Sequence, residues 1–148
     1  MSDQKIQIHL PFSGAYPISF PFAAAPSSQA IIDKYSSLGL VGHNGIDYEM
    51  PQETEIVACD SGVVSSTGTD VNFGIYITIK HIWGKSIYAH LKSTIVKKSD
   101  KVIVGQAIGL SGQTGFVTGP HLHFGIKPHN PNVQNGYLGF IDPAPYFV

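Results

Sequence analysis

The sequence predicts a mainly β, single-domain fold, an antiparallel sandwich or barrel-like arrangement with at most one short helix. Three observations lead there. Apolar residues recur with a period of two at Ile6, Ile8 and Leu10 and again at Ile75, Ile77 and Ile79, the spacing of half-buried strands. Sixteen Gly and ten Pro among 148 residues exceed the usual combined share of about 12%, so short elements are joined by many turns. The length is that of one ordinary domain with one core.

Each element has its own signal. Ile6–Leu10 alternates with Lys5, Gln7 and His9 and reads as a strand. Ser27–Ser37 is the one helical candidate, with Ser27 or Ser28 as cap, Ile31, Ile32 and Tyr35 on one face, and Gly39 as its stop. Gly74–His81 and Lys85–Leu91 flank Trp83-Gly84-Lys85 and form a hairpin. Further strands are expected at Glu55–Cys59, Gly62–Ser66, Ala107–Ser111 and His121–Lys127, each bounded by Gly, Asp, Ser or Pro.

Composition excludes several classes. Hydrophobic residues are 43% and charged residues 13%, against about 25% charged on average, so the chain is not intrinsically disordered. All nine cations are Lys and the net charge is −1, which leaves no guanidinium for bidentate base or phosphate recognition and argues against a nucleic-acid partner. No run of 18 apolar residues exists, so no membrane span is expected. Cys59 has no partner for an internal disulfide and reads as a small buried side chain. Phe22-Ala23-Ala24-Ala25 imitates the end of a signal peptide, but Pro11, Gly14, Pro17 and Pro21 interrupt the stretch before it, and no export signal is expected.

The chemistry lies in the histidines. His43 and Asp47 flank Gly45 four residues apart, and a looped backbone there aims both at one metal ion. His121 and His123, two apart in a strand, share a face while Leu122 and Phe124 take the other. His90 follows Tyr88 and Ala89 at the end of the hairpin. Imidazoles with a carboxylate, three protein ligands and a fourth position for water, are the pattern of catalytic zinc. One Cys excludes Cys-rich structural sites, and no His-Glu-x-x-His helix is present, so any general base is a His. His9, His81 and His129 lack partners and read as structural or exposed.

Five ordered motifs then carry a resemblance. Gly42–Asp47, Tyr88-Ala89-His90-Leu91, Gly105–Gly109, Gly112–Gly115 and Thr118–Phe124, with Asp142-Pro143 and Tyr146 near the end, resemble the lysostaphin and LytM-type zinc endopeptidases over about 42–147. The resemblance implies an antiparallel β fold with a substrate groove, one Zn²⁺ per chain, and hydrolysis of stem or cross-bridge peptides of bacterial peptidoglycan. It implies His43, Asp47 and His123 as metal ligands and His90 and His121 as the catalytic pair. Residues 42–148 are then the peptidase core and 1–41 an N-terminal strand and extension packed on it. Glycines 112, 115 and 119 would let backbone approach an extended peptide. Gly125 stands where the family commonly has an acidic residue and Ile75 where it often has Asn, differences expected to alter substrate contacts rather than the metal site.

The rival reading is a non-catalytic peptidoglycan-docking or structural tail-tip module on the same fold. All five polar positions are filled, which favours the enzyme. The lack of an export signal suggests delivery to the cell wall by a phage or phage-like particle, with such an assembly as a further partner.

Overall fold

The alternation of Ile77 and Ile79 with Thr78 and Lys80, and of Leu122, Phe124 and Ile126 with His121, His123, Gly125 and Lys127, sets the architecture. In the computed structural model, which describes residues 5–148, the apolar set of each strand is fully buried. The elements in chain order are β1 (Ile18–Phe20), α1 (Gln29–Leu38), β2 (Ile46–Glu49), β3 (Glu55–Val57), β4 (Gly62–Asp70), β5 (Gly74–His81), β6 (Gly84–Thr94), β7 (Lys101–Val102), β8 (Ala107–Ser111) and β9 (His121–Pro128), followed by a single 3₁₀ turn at Ala144–Tyr146. All strand pairs are antiparallel, in the order β1-β2-β9-β6-β5-β4-β7, with β3 attached through β8.

The sheet forks on β6. Its first half pairs with β9 as far as Ala89↔His123, and its second half pairs with β8 from Leu91↔Ser111 onward. Between the branches sits His90, in the left-handed region with φ 63°, a bulge that lets Tyr88 and Leu91, three apart, both enter the core. The core gathers Tyr88, Phe124, Ile77, Ile79, Leu122 and Ile126 on one side of this sheet. Truncating a fully buried aromatic such as Phe124 to Ala would cost about 3–5 kcal/mol.

Several elements differ from the sequence expectation. Ile6–Leu10 is not a strand: Ile8 alone forms a parallel bridge to Phe147. The Ile8 N–H reaches Tyr146 while that of His9 reaches Cys59, so the segment divides its bonds between two neighbours and builds no ladder; Leu10 is left exposed. The helix runs Gln29–Leu38, with Ser28 as N-cap making no side-chain bond and Gly39 ending it at φ 79°, a conformation that costs Gly little. The turn of the hairpin is Ile82-Trp83, and Gly84 already belongs to β6. β1 and β7 had no periodic signal, being only three and two residues long.

Candidate active site

Strand alternation puts His121 and His123 on the face opposite Leu122 and Phe124, and β2 is paired so that Asp47 lies directly across from His123. His43 stands in the loop before β2, its ring against Phe20 with centroids 4.6 Å apart. Its Nδ1 donates to the Pro21 carbonyl at 3.2 Å, which leaves the Nε2 lone pair facing inward. Nε2 of His43 lies 3.2 Å from Asp47 Oδ1 and 3.2 Å from His123 Nδ1, and His123 Nδ1 lies 3.0 Å from the same Oδ1.

Three acceptor-capable atoms therefore meet in one small triangle. A tetrahedral ion with arms of about 2.0–2.1 Å has ligand atoms about 3.3–3.4 Å apart, close to these edges. The donor set of two imidazoles and a carboxylate suits zinc. Asp47 is hydrogen-bonded and nearly buried; burial pushes its carboxyl up, but the hydrogen bonds and charges of His123 and His43 outweigh that and hold it well below the usual carboxylate range. Burial pushes His123 down, the direction that keeps it neutral and able to ligate.

His90 and His121 stand on the open side of the triangle with ring centroids 4.8 Å apart. His90 Nδ1 donates to the Thr114 carbonyl at 2.8 Å, so its Nε2 is the free nitrogen. Burial, then the neighbouring charges of His123 and His121, push His90 down to about 4. His121 Nδ1 donates to the Gly119 carbonyl at 3.1 Å, and its Nε2 lies 3.4 Å from Asp47 Oδ2. The strained backbone of His90 is held by its N–H bond to the Phe73 carbonyl at 2.7 Å; such a conformation costs about 1–3 kcal/mol and persists only where neighbours impose it.

These groups line a cleft of about 460 Å³. One wall is α1, which presents Ile31, Lys34 and Tyr35; the other is the loop carrying Phe116 and Thr118. Lys34 reaches across to the Phe116 ring at 5.6 Å. Tyr35 was read from sequence only as part of an apolar helical face. Burial, then the charge of Asp47, push its phenol up to about 12, so it remains an O–H donor in the cleft. Asn72 and Phe73 also line the cleft, and Asn72 Oδ1 is buried without a hydrogen-bond partner. No local signal marked these two.

The other expectations resolve as follows. His9 and His129 are exposed, whereas His81 is buried, bonded to Ser61 and Ser86 and stacked on Trp83. Cys59 is fully buried. At Gly112 and Gly115 a Cβ would strike the backbone of Lys92 and of Gly74, so both glycines allow close approach within the chain itself. Gly119 alone of the three has open space around it. Gly125 lies under the Phe140 ring, away from the metal-ligand triangle.

Known proteins resemble the chain in sequence and in fold. The curated peptidoglycan DD-endopeptidase ShyA of Vibrio cholerae is 47% identical over 85 residues, which are 55% of this chain and 19% of that protein. A zinc-containing peptidase from Vibrio cholerae superimposes with TM-score 0.74 at 28% identity, over 95% of this chain and 39% of the other. The catalytic domain of lysostaphin from Staphylococcus simulans does so with TM-score 0.72 at 29% identity, over 88% and 91%. The chain spans a third or less of the curated relatives it matches. No helix among the described residues is long and apolar enough to cross a membrane. The sequence model of peptidase family M23 matches residues 41–135, a stretch containing all five converging polar residues, and the chain belongs to that family.

Proposed function

We propose that the chain is a zinc-dependent endopeptidase that hydrolyses peptide bonds in the stem or cross-bridge peptides of bacterial peptidoglycan. His43 Nε2, Asp47 Oδ1 and His123 Nδ1 hold one Zn²⁺, and His90 and His121 form the catalytic pair. The observation that carries this reading is the convergence of three ligand atoms within 3.2 Å of one another beside two further imidazoles. When bound, the ion supplies Lewis acidity to water and to the scissile carbonyl.

The protein's own groups do the rest. His90, kept neutral, orients the attacking water and accepts its proton at Nε2; a positioned base of this kind is worth about 10²–10⁴-fold. His121, beside Asp47 Oδ2, holds a proton for the amine that leaves when the C–N bond breaks. Tyr35 O–H faces the cleft and can donate to the developing oxyanion. Water adds to the carbonyl carbon as His90 takes its proton, and the C–N bond breaks as the departing nitrogen takes one from His121. The proton on His90 makes good the one His121 lost, so that a carboxylate and an amine result. Residues 42–148 constitute the peptidase core, and 1–41 supply β1 and the α1 wall of the cleft.

Zinc analysis, together with mass spectrometry of fragments released from purified peptidoglycans of several cross-link types, with and without chelator, tests the proposal. Chelator-sensitive release of new N-termini is expected. A docking or structural tail-tip module predicts no cleavage in either case. Delivery by a phage or phage-like particle belongs to the same proposal and is checked by immunodetection of the chain in purified particles.

A further inference from the structure

A second cavity, of about 530 Å³, opens on the same face of the sheet as the histidines. It lies four residues along β9 from His123, at Lys127, about 13 Å at strand rise. Between the two sites Phe140 covers Gly125, its ring 3.1–3.2 Å from where a Cβ would be, so the second cavity is separate from the cleft.

Register builds this cavity. Lys80 pairs with Lys85 and Lys85 with Lys127, placing three of the nine lysines in one row across β5, β6 and β9. Like charges directly opposite one another in a sheet are destabilising. Among the described residues none of the three has an ion-pair partner, and no carboxylate lines the cavity. Lys127 is further held over the Phe140 ring, Nζ to centroid 4.6 Å. Burial, then the charge of Lys85, hold its ammonium below the ordinary lysine range.

The opposite wall is polar and neutral. A bulge in β4 between Val64 and Ser66 brings two consecutive serines to Thr78. Thr78 Oγ1 lies 2.8 Å from Ser65 Oγ and 2.5 Å from Ser66 Oγ. Ser65 Oγ also donates to the Thr78 carbonyl at 3.3 Å, a long bond that an anion oxygen can replace.

We propose that this cavity is a second, non-catalytic site that binds a phosphate group between the ammonium groups of Lys85 and Lys127 and the hydroxyls of Ser65, Ser66 and Thr78. A tetrahedral oxyanion presents oxygens to both walls at once, where a planar carboxylate offers two in one plane. Lysine binds phosphate as a point charge without needing a fork. The anion also removes the repulsion within the lysine row. Free inorganic phosphate and a phosphodiester link of a polymer share this chemistry.

Nuclear magnetic resonance titration of the isotope-labelled, zinc-loaded protein tests it, first with inorganic phosphate and then with a short poly(glycerol phosphate). Saturable shifts of the Ser66, Thr78, Lys85 and Lys127 amides are expected, and Lys85→Glu, which sets a carboxylate against Lys127, should weaken binding at least tenfold. Tighter binding of the oligomer assigns the polymer as source; tighter binding of the free ion assigns phosphate itself. Shifts confined to His90, His121 and His123, shifts that never saturate, or an affinity unchanged in Lys85→Glu would overturn the proposal. The readout is binding and not cleavage, so it stands or falls independently of the peptidase assignment.

Discussion

The imidazole of His123 rests its Cε1–Nε2 edge on the backbone of Gly45: a Cβ at Gly45 would lie 2.6 Å from Cε1 and 2.7 Å from Nε2. Those contacts fix the plane of the ring, and Nδ1, the neighbour of Cε1, faces Asp47 and His43. The same Cβ would meet the Phe124 carbonyl at 2.6 Å, so Gly45→Ala should displace the His123 ring and the adjoining β9 backbone while leaving all three ligands in the chain. Positioning partners of this sort are worth about 10–100-fold in metal affinity, and competition with a chelating dye would measure that loss. Unchanged zinc affinity in a folded Gly45→Ala protein would show that the contact does not position the ring.

Ligands and catalytic histidines should separate by metal content. His123→Ala is expected to lose both zinc and peptidase activity. His90→Ala and His121→Ala should keep most of their zinc and lose about 10²–10⁴-fold in turnover, because each nitrogen acts on water or the leaving group. Elemental analysis beside a cleavage assay decides it; zinc loss from His90→Ala equal to that from His123→Ala would contradict the division of roles.

Acid should release the metal. His43 and His123 ligate as neutral imidazoles, so protons compete for the same nitrogens, whereas Asp47, held well below the usual carboxylate range, stays ionised. Activity and bound zinc should fall together as pH drops below neutrality, and excess zinc should move the midpoint to lower pH. A midpoint indifferent to zinc concentration would place the acid limb elsewhere.

Fold stability should carry a separate acid dependence from His81, far from the cleft. Burial pushes this group below its ordinary value of 6.5, against the smaller upward pull of the Ser61 carbonyl and the Asp60 charge. Below about pH 6.5 the unfolded chain takes up a proton here that the folded chain refuses, so stability declines as pH falls, by up to about 1.4 kcal/mol per unit, until the folded group titrates; above pH 6.5 the effect vanishes. Urea unfolding at pH 7 and pH 5 should show a smaller difference for His81→Gln than for the wild type. Equal differences would mean that His81 is not the group responsible.

Short-range order was legible in the sequence. Strand alternation is a two-residue property, so the common face of His121 and His123, and the inward turn of Leu122 and Phe124, followed from the chain itself. The helix and its stop at Gly39 were legible for the same reason, since capping and periodicity involve residues a turn or so apart. The Ile6–Leu10 alternation was equally local and misled, because a strand also needs one continuous partner, and this segment has two different neighbours.

Position and register belonged to tertiary structure alone. His43 and His123 are 80 residues apart, and only the pairing of β2 with β9 brings their nitrogens to 3.2 Å. The left-handed backbone of His90 arises because two strands compete for opposite halves of β6, and no residue near it in sequence announces a fork. The lysine row exists only through the register of three strands, and the roofing of the cleft by α1 only through its packing. The sequence by itself determined which side chains share a face and which chemistry they carry, because neighbouring residues interact whatever the rest of the chain does. Which faces meet, at what offset, and over which cavity was decided by long-range burial of Tyr88, Phe124 and Ile79, since hydrophobic contact rewards area without regard to separation along the chain.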